Sequence, residues 1–267
     1  MKLTIVTVNL NHSQNLKKTL ESVQSQRFDD LENLVIDGLS TDESLEILGK
    51  WKPKYGSYDF VSESDTGIYN AMNKGISKSK GDYILFLNSG DVFAHENVLS
   101  NVFDKNRYED LLFGNIIVDN NINVNEIKYG KLDLNFIRNG VVCHQSQFWR
   151  REILQRLGGF DEQFLITADY DFFVRALVKA NVSYFHFDFP IAIFRLDGMS
   201  NDPKNLNKIA SEREAIFSGI NKGYVADTYQ LLDQYQKDLD FFKNQTSITI
   251  TIKRLFYLLS KKLRTSI

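Results

Sequence analysis

Short apolar runs alternate with helical patterns over the N-terminal part of the chain. The first run, Leu3 to Leu10, is rich in β-branched residues, and Leu16, Leu20 and Val23 follow at helical spacing behind Ser13, a candidate N-cap. The same alternation predicts strand 31–37, helix 43–50, strand 58–63, helix 68–77 and strand 83–87. Strands that alternate with helices are typical of a mostly parallel sheet with right-handed crossovers.

The pattern changes after Asp91. A strand at 111–118, an Asn-rich connection at 119–125 and a returning strand at 126–129 indicate a hairpin and therefore a mixed sheet. Helices 152–157 and 170–179 and strands 182–187 and 191–194 follow, with Gly158 and Gly159 as a helix stop. From Pro203 onward the pattern is helical. We expect an α/β fold with a Rossmann-like, mostly parallel central sheet and a C-terminal helical extension.

Composition narrows the possible classes of protein. The chain has 267 residues, a formal net charge of −2 and a single cysteine, Cys143. Near-neutral charge gives little support to a nucleic acid partner, and one cysteine excludes an internal disulfide framework and fits a reducing compartment. The sequence contains no apolar segment with the length of a secretion signal or a membrane span. We therefore expect a cytoplasmic protein.

The C-terminal tail has a different character. After Asp240 there are no acidic residues, while basic residues alternate with aromatic and aliphatic ones as far as Arg264. This pattern predicts a basic amphipathic tail. A solvated or oligomer-forming helix is one interpretation, and contact with anionic lipid, which places the protein at the inner face of a membrane, is the other.

Polar side chains follow the predicted parallel strands at their carboxyl ends. Thr7 and Asn9 end the first strand and Asp37 ends the second, so the three side chains would line one pocket in a parallel sheet. A carboxylate there can accept from an N–H of a nucleobase, whether uracil or guanine. The alternative is a turn in which Thr41 or Asp42 only caps the next helix.

Two acidic loops lie on either side of the helix predicted at 68–77. Ser62 to Gly67 precedes this helix, and Asn88 to Asp91 follows the next strand. Carboxyl ends of strands line the ligand crevice of open α/β sheets, and a carboxylate such as Asp91 can hold a divalent cation together with substrate phosphates. The loops therefore indicate a nucleotide diphosphate site. An Asx turn with Asp91 capping a helix near His95 is the competing interpretation.

Further candidate residues occur in the second half of the chain. Asp169 and Asp171 open a predicted helix, where the helix dipole is a sufficient reason for both, but Asp169 could also act as a general base. His144 and Gln145 are candidates for contacts to the acceptor or the leaving group, against a purely structural histidine. Arg195 follows a strand and could grip diphosphate oxygens or pair with a nearby aspartate.

Taken in series, these motifs resemble the family 2 glycosyltransferases, and most of all members that extend bacterial surface polysaccharides. The resemblance rests on Thr7 to Asn9, IDGLSTD, SESDTGIYNAMNKGI, FLNSGD, and the stretch from HQSQFWRRE to ADYDFFVRAL. It implies a GT-A fold, a nucleotide-sugar donor, Mn²⁺ or Mg²⁺, and inversion at the anomeric carbon. It also implies a catalytic domain at 1–202, with a nucleotide-binding half at 1–100 and an acceptor half at 101–202, before a helical region at 203–267.

The resemblance also implies roles for individual residues. The donor-binding residues would be Thr7, Asn9, Asp37, Asp65, Asn88 and Arg195. Asp91 would bind the metal, Asp169 would be the base, and His144 and Gln145 would contact the acceptor or leaving group. The expected partners are a nucleotide sugar, with a UDP-sugar preferred over a GDP-sugar, and a glycan or lipid-linked acceptor. An oligomeric assembly is compatible with the sequence.

Two departures from the family pattern support an alternative hypothesis. Asn88 and Gly90 stand where an Asp-x-Asp cluster is usual, and Ala168 precedes Asp169 where a glutamate is usual. A catalytically silent subunit that binds nucleotide sugar would fit these changes. A nucleotidyltransferase is disfavoured because Val8 to Asn15 contains no glycine. The chain also lacks a Gln-x-x-Arg-Trp motif, so we expect transfer of a single sugar rather than processive synthesis.

Overall fold

The computed structural model describes residues 2–53, 56–119, 123–195, 201–220, 233–241 and 257. Within these residues one mixed sheet has the strand order β3-β2-β1-β4-β8-β6-β9-β5, and β7 pairs with β6. The strands are β1 Leu3–Asn9, β2 Leu31–Asp37, β3 Ser57–Ser62, β4 Tyr83–Phe86, β5 Val92–Phe93, β6 Leu111–Asp119, β7 Val124–Ile127, β8 Gln147–Arg150 and β9 Tyr184–Arg195. The helices are α1 Ser13–Ser25, α2 Ser44–Lys50, α3 Ile68–Lys78, α4 Val98–Val102, α5 Leu134–Asn139, α6 Arg151–Arg156, α7 Ala168–Val174 and α8 Leu206–Ile220.

The first four strands are parallel, as the alternating pattern predicted. Every residue of β2 is buried between β1 and β3, including the polar Glu32, Asn33 and Asp37. On one side Val35 packs with Leu16, Leu20 and Leu48 in a single core cluster. On α3, Gly75 allows close packing, because a Cβ there would lie 2.4 Å from a methyl group of Val6. Helices α1, α2 and α3 therefore pack closely against the sheet, and the loops that follow β1, β2 and β3 lie at the carboxyl ends of these strands.

The second half of the sheet differs from the prediction in two places. The two strands predicted at 182–187 and 191–194 form one strand, β9, which is parallel to β6 with register shifts around Asn115. Pro190 lies at this irregularity, where a strand tolerates the missing N–H. Strand β8 was not predicted, and it pairs antiparallel with both β4 and β6. The hairpin between β6 and β7 is confirmed.

The helices that carry the later motifs are also slightly different from those predicted. Helix α7 begins at Ala168 and continues as a π-helical turn over Arg175–Lys179. Gly158 and Gly159, which follow α6, have positive φ angles of 79° and 67°, as a helix stop requires. His144–Ser146 forms a 3₁₀ turn immediately before β8.

By internal contacts the chain divides into Met1–Phe217 and Ser218–Ile267. The first unit contains the sheet and most of α8; in the second, a helix covers residues 233–241. The catalytic domain proposed at 1–202 and the helical region at 203–267 remain predictions. Most of the predicted basic tail lies outside the described residues. None of the described helices combines the length and apolar character that crossing a bilayer requires.

Candidate active site

Asp37 lies at the carboxyl end of β2, where its register partners are Asn9 on β1 and Ser62 on β3. Its side chain is fully buried. Oδ1 accepts from Asn9 Nδ2 at 2.9 Å and from Ser40 Oγ at 2.6 Å, and Oδ2 accepts from Ser40 N at 2.9 Å and Ser62 Oγ at 2.8 Å. A carboxylate has about four acceptor positions. Protein donors therefore occupy all of them, and Asp37 fixes the conformation of the loop that follows.

The loops after β1 and β2 are joined by further hydrogen bonds. Asn11 N donates to Ser40 Oγ at 2.8 Å, and Thr41 N donates to Asn11 Oδ1 at 2.7 Å. Ser13, predicted as an N-cap, is instead the first residue of α1, and its N–H donates to Asp42 at 2.8 Å. Burial raises the pKa of Asp42, but hydrogen bonds from Ser44 and Ser13 outweigh this effect and lower it to about 2. The two loops thus form one preorganised unit.

Asp65 lies against the same unit. A Cβ on Gly38 would come within 2.9 Å of Asp65 Oδ2 and 3.3 Å of Leu10 Cδ1, so glycine is required for this close approach. Lys74 Nζ holds Asp65 at 2.7 Å. Burial lowers the pKa of Lys74, but Asp65 and Glu63 raise it above its usual value. Thr7 Oγ1 is buried and has no hydrogen-bond partner among the described groups.

The loop before Asp91 is held by α1. Gly90 has a φ of 108°, and its N–H donates to Thr19 Oγ1 at 2.9 Å, while that hydroxyl donates to the Asp91 carbonyl at 2.9 Å. Ser89 Oγ donates to Asn9 Oδ1 at 2.9 Å, which connects this loop to the Asp37 network. Asp91 caps no helix near His95, because β5 follows it directly.

The residues around Asp91 are suited to a hard cation. The Asp91 side chain is buried, and Gln145 Nε2 donates to its Oδ2 at 3.2 Å. Asn88 Oδ1 is buried without a hydrogen-bond partner within the described part of the chain. Oxygen ligands of these two kinds fit Mg²⁺ or Mn²⁺, which need few protein carboxylates when substrate phosphates contribute. Among the described residues, no group of three or more His, Cys, Asp or Glu side chains forms a closed metal site.

Asp169 lies in the first turn of α7, with its side chain 22% exposed. Its Oδ1 accepts from Tyr170 N at 2.9 Å and lies 3.1 Å from the Tyr69 hydroxyl, and its Oδ2 lies 3.4 Å from His144 Nδ1. Burial raises the pKa of Asp169, but the hydrogen bond and charge of His144, with Tyr170 and Tyr69, outweigh this and lower it. Asp169 is therefore ionised at neutral pH.

Asp171 does not share this environment. Its Oδ2 accepts from Arg175 Nε at 2.7 Å, and burial raises its pKa, against the opposing effect of Arg175. The guanidinium of Arg175 also donates to the carbonyls of Leu157 and Gly159. Asp171 thus belongs to a structural ion pair that fastens α7 to the loop after α6.

His144 and Gln145 join the predicted metal loop to the predicted base. His144 Nε2 lies 3.3 Å from Asn88 Nδ2, while its Nδ1 faces Asp169. Gln145, the next residue, contacts Asp91. Through Ser89 and Asn9 the same network continues to Asp37. The structure therefore brings these predicted residues together at one edge of the sheet.

One predicted site residue has a side chain outside the described part of the chain, and two residues of the site were not predicted. Arg195 ends β9, but its side chain and residues 196–200 are outside the described part of the chain. Tyr69 and Lys74 were not predicted. Their positions on α3 suggested only helix periodicity, and no local spacing links them, because residues i and i+5 do not share a helix face.

The chain is similar in sequence to known proteins. The family model described as Glycosyl transferase family 2 matches residues 4–167. A PGL/p-HBAD biosynthesis glycosyltransferase of Mycobacterium bovis is 31% identical over 179 residues, which is 64% of this chain and 68% of that protein. Chondroitin synthase of Escherichia coli is 26% identical over 172 residues, covering 62% of this chain but 25% of that protein.

Two solved structures share the fold. S. aureus TarS 1-349 in complex with UDP-GlcNAc has a TM-score of 0.60 and 18% identity, covering 73% of this chain and 58% of that one. The mannosyltransferase PcManGT from Pyrobaculum calidifontis, in complex with GDP-Man and Mn²⁺, has a TM-score of 0.60 and 15% identity, covering 78% and 60%. This chain thus spans less than two thirds of either solved chain.

Proposed function

The chain belongs to glycosyl transferase family 2 and has the GT-A fold, and from this premise we propose that it transfers one sugar from a nucleotide diphosphate sugar to an acceptor hydroxyl, with inversion. The observation that carries the proposal is the single network from Asp37 to Asp169. It joins a loop suited to a nucleoside, a loop suited to a metal diphosphate, and an ionised carboxylate.

The nucleoside would bind at the carboxyl ends of β1 and β2. Thr7 supplies a buried hydroxyl whose hydrogen-bonding capacity is not used by the described residues. Asp65 faces Gly38 across the loop and closes over the base. Asp37 contributes mainly by fixing the loop, because a direct bond to a base N–H requires one protein donor to be released. We favour a UDP-sugar, as in the S. aureus complex of similar fold.

Asp91, with Asn88 beside it, would hold Mn²⁺ or Mg²⁺. Such an ion neutralises charge on diphosphate oxygens. The buried Asn88 oxygen without a described partner supports this role. Gln145 orients the Asp91 carboxylate through its amide, so the side chain is fixed before substrate binds. Arg195 remains a proposed diphosphate contact.

Asp169 is the proposed general base. The acceptor oxygen forms a bond to the anomeric carbon while the bond from that carbon to the diphosphate oxygen breaks, and Asp169 takes the hydroxyl proton. Because the pKa of Asp169 is lowered, the carboxylate is unprotonated at neutral pH and can accept a proton, although a lower pKa also makes it a weaker base. His144 holds the carboxylate from one side and reaches the Asn88 loop on the other, which suits a contact to acceptor or leaving group.

The acceptor is proposed to be a glycan or a lipid-linked glycan. The mycobacterial relative is named a PGL/p-HBAD biosynthesis glycosyltransferase and the E. coli relative a chondroitin synthase, and these names support a role in polysaccharide biosynthesis. An acceptor attached to lipid would bring the chain to the inner face of a membrane. The basic tail is the proposed contact with that membrane.

Product stereochemistry tests the proposal. The purified chain is incubated with a panel of UDP-sugars and GDP-sugars, with and without Mn²⁺, and the sugar released or transferred is followed by proton NMR. We expect turnover with one donor and a first-formed product of inverted anomeric configuration. Retention of configuration would contradict single displacement. Donor binding without hydrolysis or transfer would favour a catalytically silent binding subunit.

A further inference from the structure

Glu212, on α8, makes an unusual set of contacts with a distant part of the chain. It is only 5% exposed. Its Oε1 accepts from Leu165 N at 3.1 Å, and its Oε2 accepts from Ile166 N at 3.2 Å, Thr167 N at 3.1 Å and Thr167 Oγ1 at 2.9 Å. One carboxylate therefore binds three consecutive backbone N–H groups and a hydroxyl.

These N–H groups lie immediately before α7, the helix that carries Asp169. Thr167 is the N-cap residue by position and by type, yet its hydroxyl donates to Glu212 and, among the described contacts, caps no helix N–H. A helix N-terminus leaves backbone donors unsatisfied and favours a nearby negative charge. Glu212, 45 residues away in sequence, thus holds the turn that leads into α7 through the N–H groups of the residues before the helix and of its N-cap residue.

The electrostatics of Glu212 agree with this role. Burial raises its pKa, but hydrogen bonds from Thr167, Ile166 and Leu165 outweigh that effect and lower it, so the group is ionised at neutral pH. Lys208 Nζ lies 3.4 Å from Oε1 and balances the charge. Removing the Glu212 carboxylate would leave three backbone N–H groups without their acceptor.

Helix α8 is linked to Asp169 through two sets of contacts. Ile166, whose N–H binds Glu212, accepts a hydrogen bond from the Tyr69 hydroxyl at 2.7 Å, and that hydroxyl also lies beside Asp169. On the other side, the guanidinium of Arg213 stacks over the Tyr170 ring at 4.2 Å, next to Asp169 in sequence. Helix α8 therefore fixes both the start and the first turn of α7.

We infer that Glu212 is a positioning residue for the transferase reaction: it holds the start of α7 so that the Asp169 carboxylate faces the acceptor hydroxyl. The inference rests on the proposed function. It extends the catalytic machinery to α8, beyond the segment matched by the family model. Glu212 touches no substrate and acts only through Asp169.

The test compares Glu212→Ala and Glu212→Gln with Glu214→Gln, a carboxylate-to-amide change on the exposed part of the same helix. We measure kcat and KM for the nucleotide sugar, donor affinity by calorimetry, and thermal unfolding. Because a misplacement of about 1 Å can cost about 10²-fold in rate, kcat of Glu212→Ala should fall by about that factor. Donor KM and affinity should stay unchanged.

Glu212→Gln should recover part of the rate, because an amide oxygen at the Oε2 position keeps the donors from Ile166 and Thr167 and loses only Leu165. Glu214→Gln should behave as the parent chain. If Glu212→Ala does not fold, the comparison of kcat between Glu212→Gln and the parent chain tests the inference: a lower kcat with unchanged donor KM supports it, and an unchanged kcat overturns it. An unchanged kcat in Glu212→Gln and Glu212→Ala, or a loss confined to donor KM, would overturn the inference. A parent chain that turns over no donor would overturn the proposed function instead, and the positioning role with it.

Discussion

The buried Asp37 network allows a quantitative prediction for Asp37→Asn. The substitution keeps the size of the side chain but replaces one acceptor oxygen by an NH₂ group. With the amide nitrogen at the Oδ2 position it would face the Ser40 N–H, and at the Oδ1 position it would face Asn9 Nδ2. The serine hydroxyls can rotate and accept, but a donor–donor clash remains in either orientation.

The size of the effect follows from the cost of one unsatisfied buried donor, about 1–3 kcal/mol. A loss of about 2 kcal/mol lowers the unfolding midpoint by roughly 4–8 °C, since each kcal/mol shifts a domain of this size by about 2–4 °C. Donor affinity should fall as well, because Asp37 holds the loop that contains Gly38 and Ser40.

Urea denaturation and thermal unfolding measure the loss of stability, and calorimetry with the preferred nucleotide sugar measures donor affinity. Asp29→Asn, at an exposed aspartate, is the matched control and should change the unfolding free energy by less than about 0.5 kcal/mol. If Asp37→Asn lost donor affinity while its unfolding free energy matched that of the control, Asp37 would be a direct reader of the base. The reasoning from its four internal hydrogen bonds would then be refuted.

Three further predictions concern the remaining parts of the site. Removal of divalent metal with a chelator should abolish turnover, and added Mn²⁺ should restore it. Asp91→Asn should require a higher Mn²⁺ concentration for half-maximal activity. Turnover that persists in the presence of the chelator would contradict the metal role. His144→Ala should lower kcat and, because His144 lowers the pKa of Asp169, should move the acid limb of the kcat–pH profile to higher pH; an unmoved limb would argue against the contact. Asp42 has a lowered pKa, so its stabilisation is present above its unfolded-state pKa and is lost as pH falls through about 2; urea titrations in acid should show a shallower loss for Asp42→Asn, and equal slopes would contradict this.

The parallel half of the sheet could be predicted because its information is local. Runs rich in apolar and β-branched residues, such as Leu3–Asn9, and the helical spacing of Leu16, Leu20 and Val23 decide strand and helix over short windows. Parallel pairing then brings Asn9, Asp37 and Ser62 to one edge without further information. The predicted convergence of the polar loops depends only on this rule.

The second half resisted prediction because its pairing is non-local. Strand β8 is four residues long, and its place between β4 and β6 depends on contacts far away in sequence. The gap predicted between the strands at 182–187 and 191–194 contains Pro190, and there β9 continues with a register shift against β6. The contact of Glu212 with Thr167 has no local sequence pattern, since a glutamate on an amphipathic helix usually faces solvent.

The same limit applies to the chemistry of the carboxylates. From spacing alone, Asp169 and Asp171 are equivalent residues in one helical turn. The fold separates them, because Asp171 pairs with Arg175 while Asp169 faces His144 and Tyr69. Asp37 was correctly expected at the strand end, but its four donors come from β1, β3 and the loop after β2, which only the fold brings together.

The most direct test of the central claim is single-turnover kinetics of Asp169→Asn beside the parent chain, with donor affinity measured on the same samples. Asparagine keeps the shape but cannot take a proton from the acceptor hydroxyl. We expect donor affinity to be retained and the rate of transfer to fall by about 10²- to 10⁴-fold, the usual contribution of a general base. Transfer at close to the parent rate would contradict the assignment of Asp169 and the mechanism built on it.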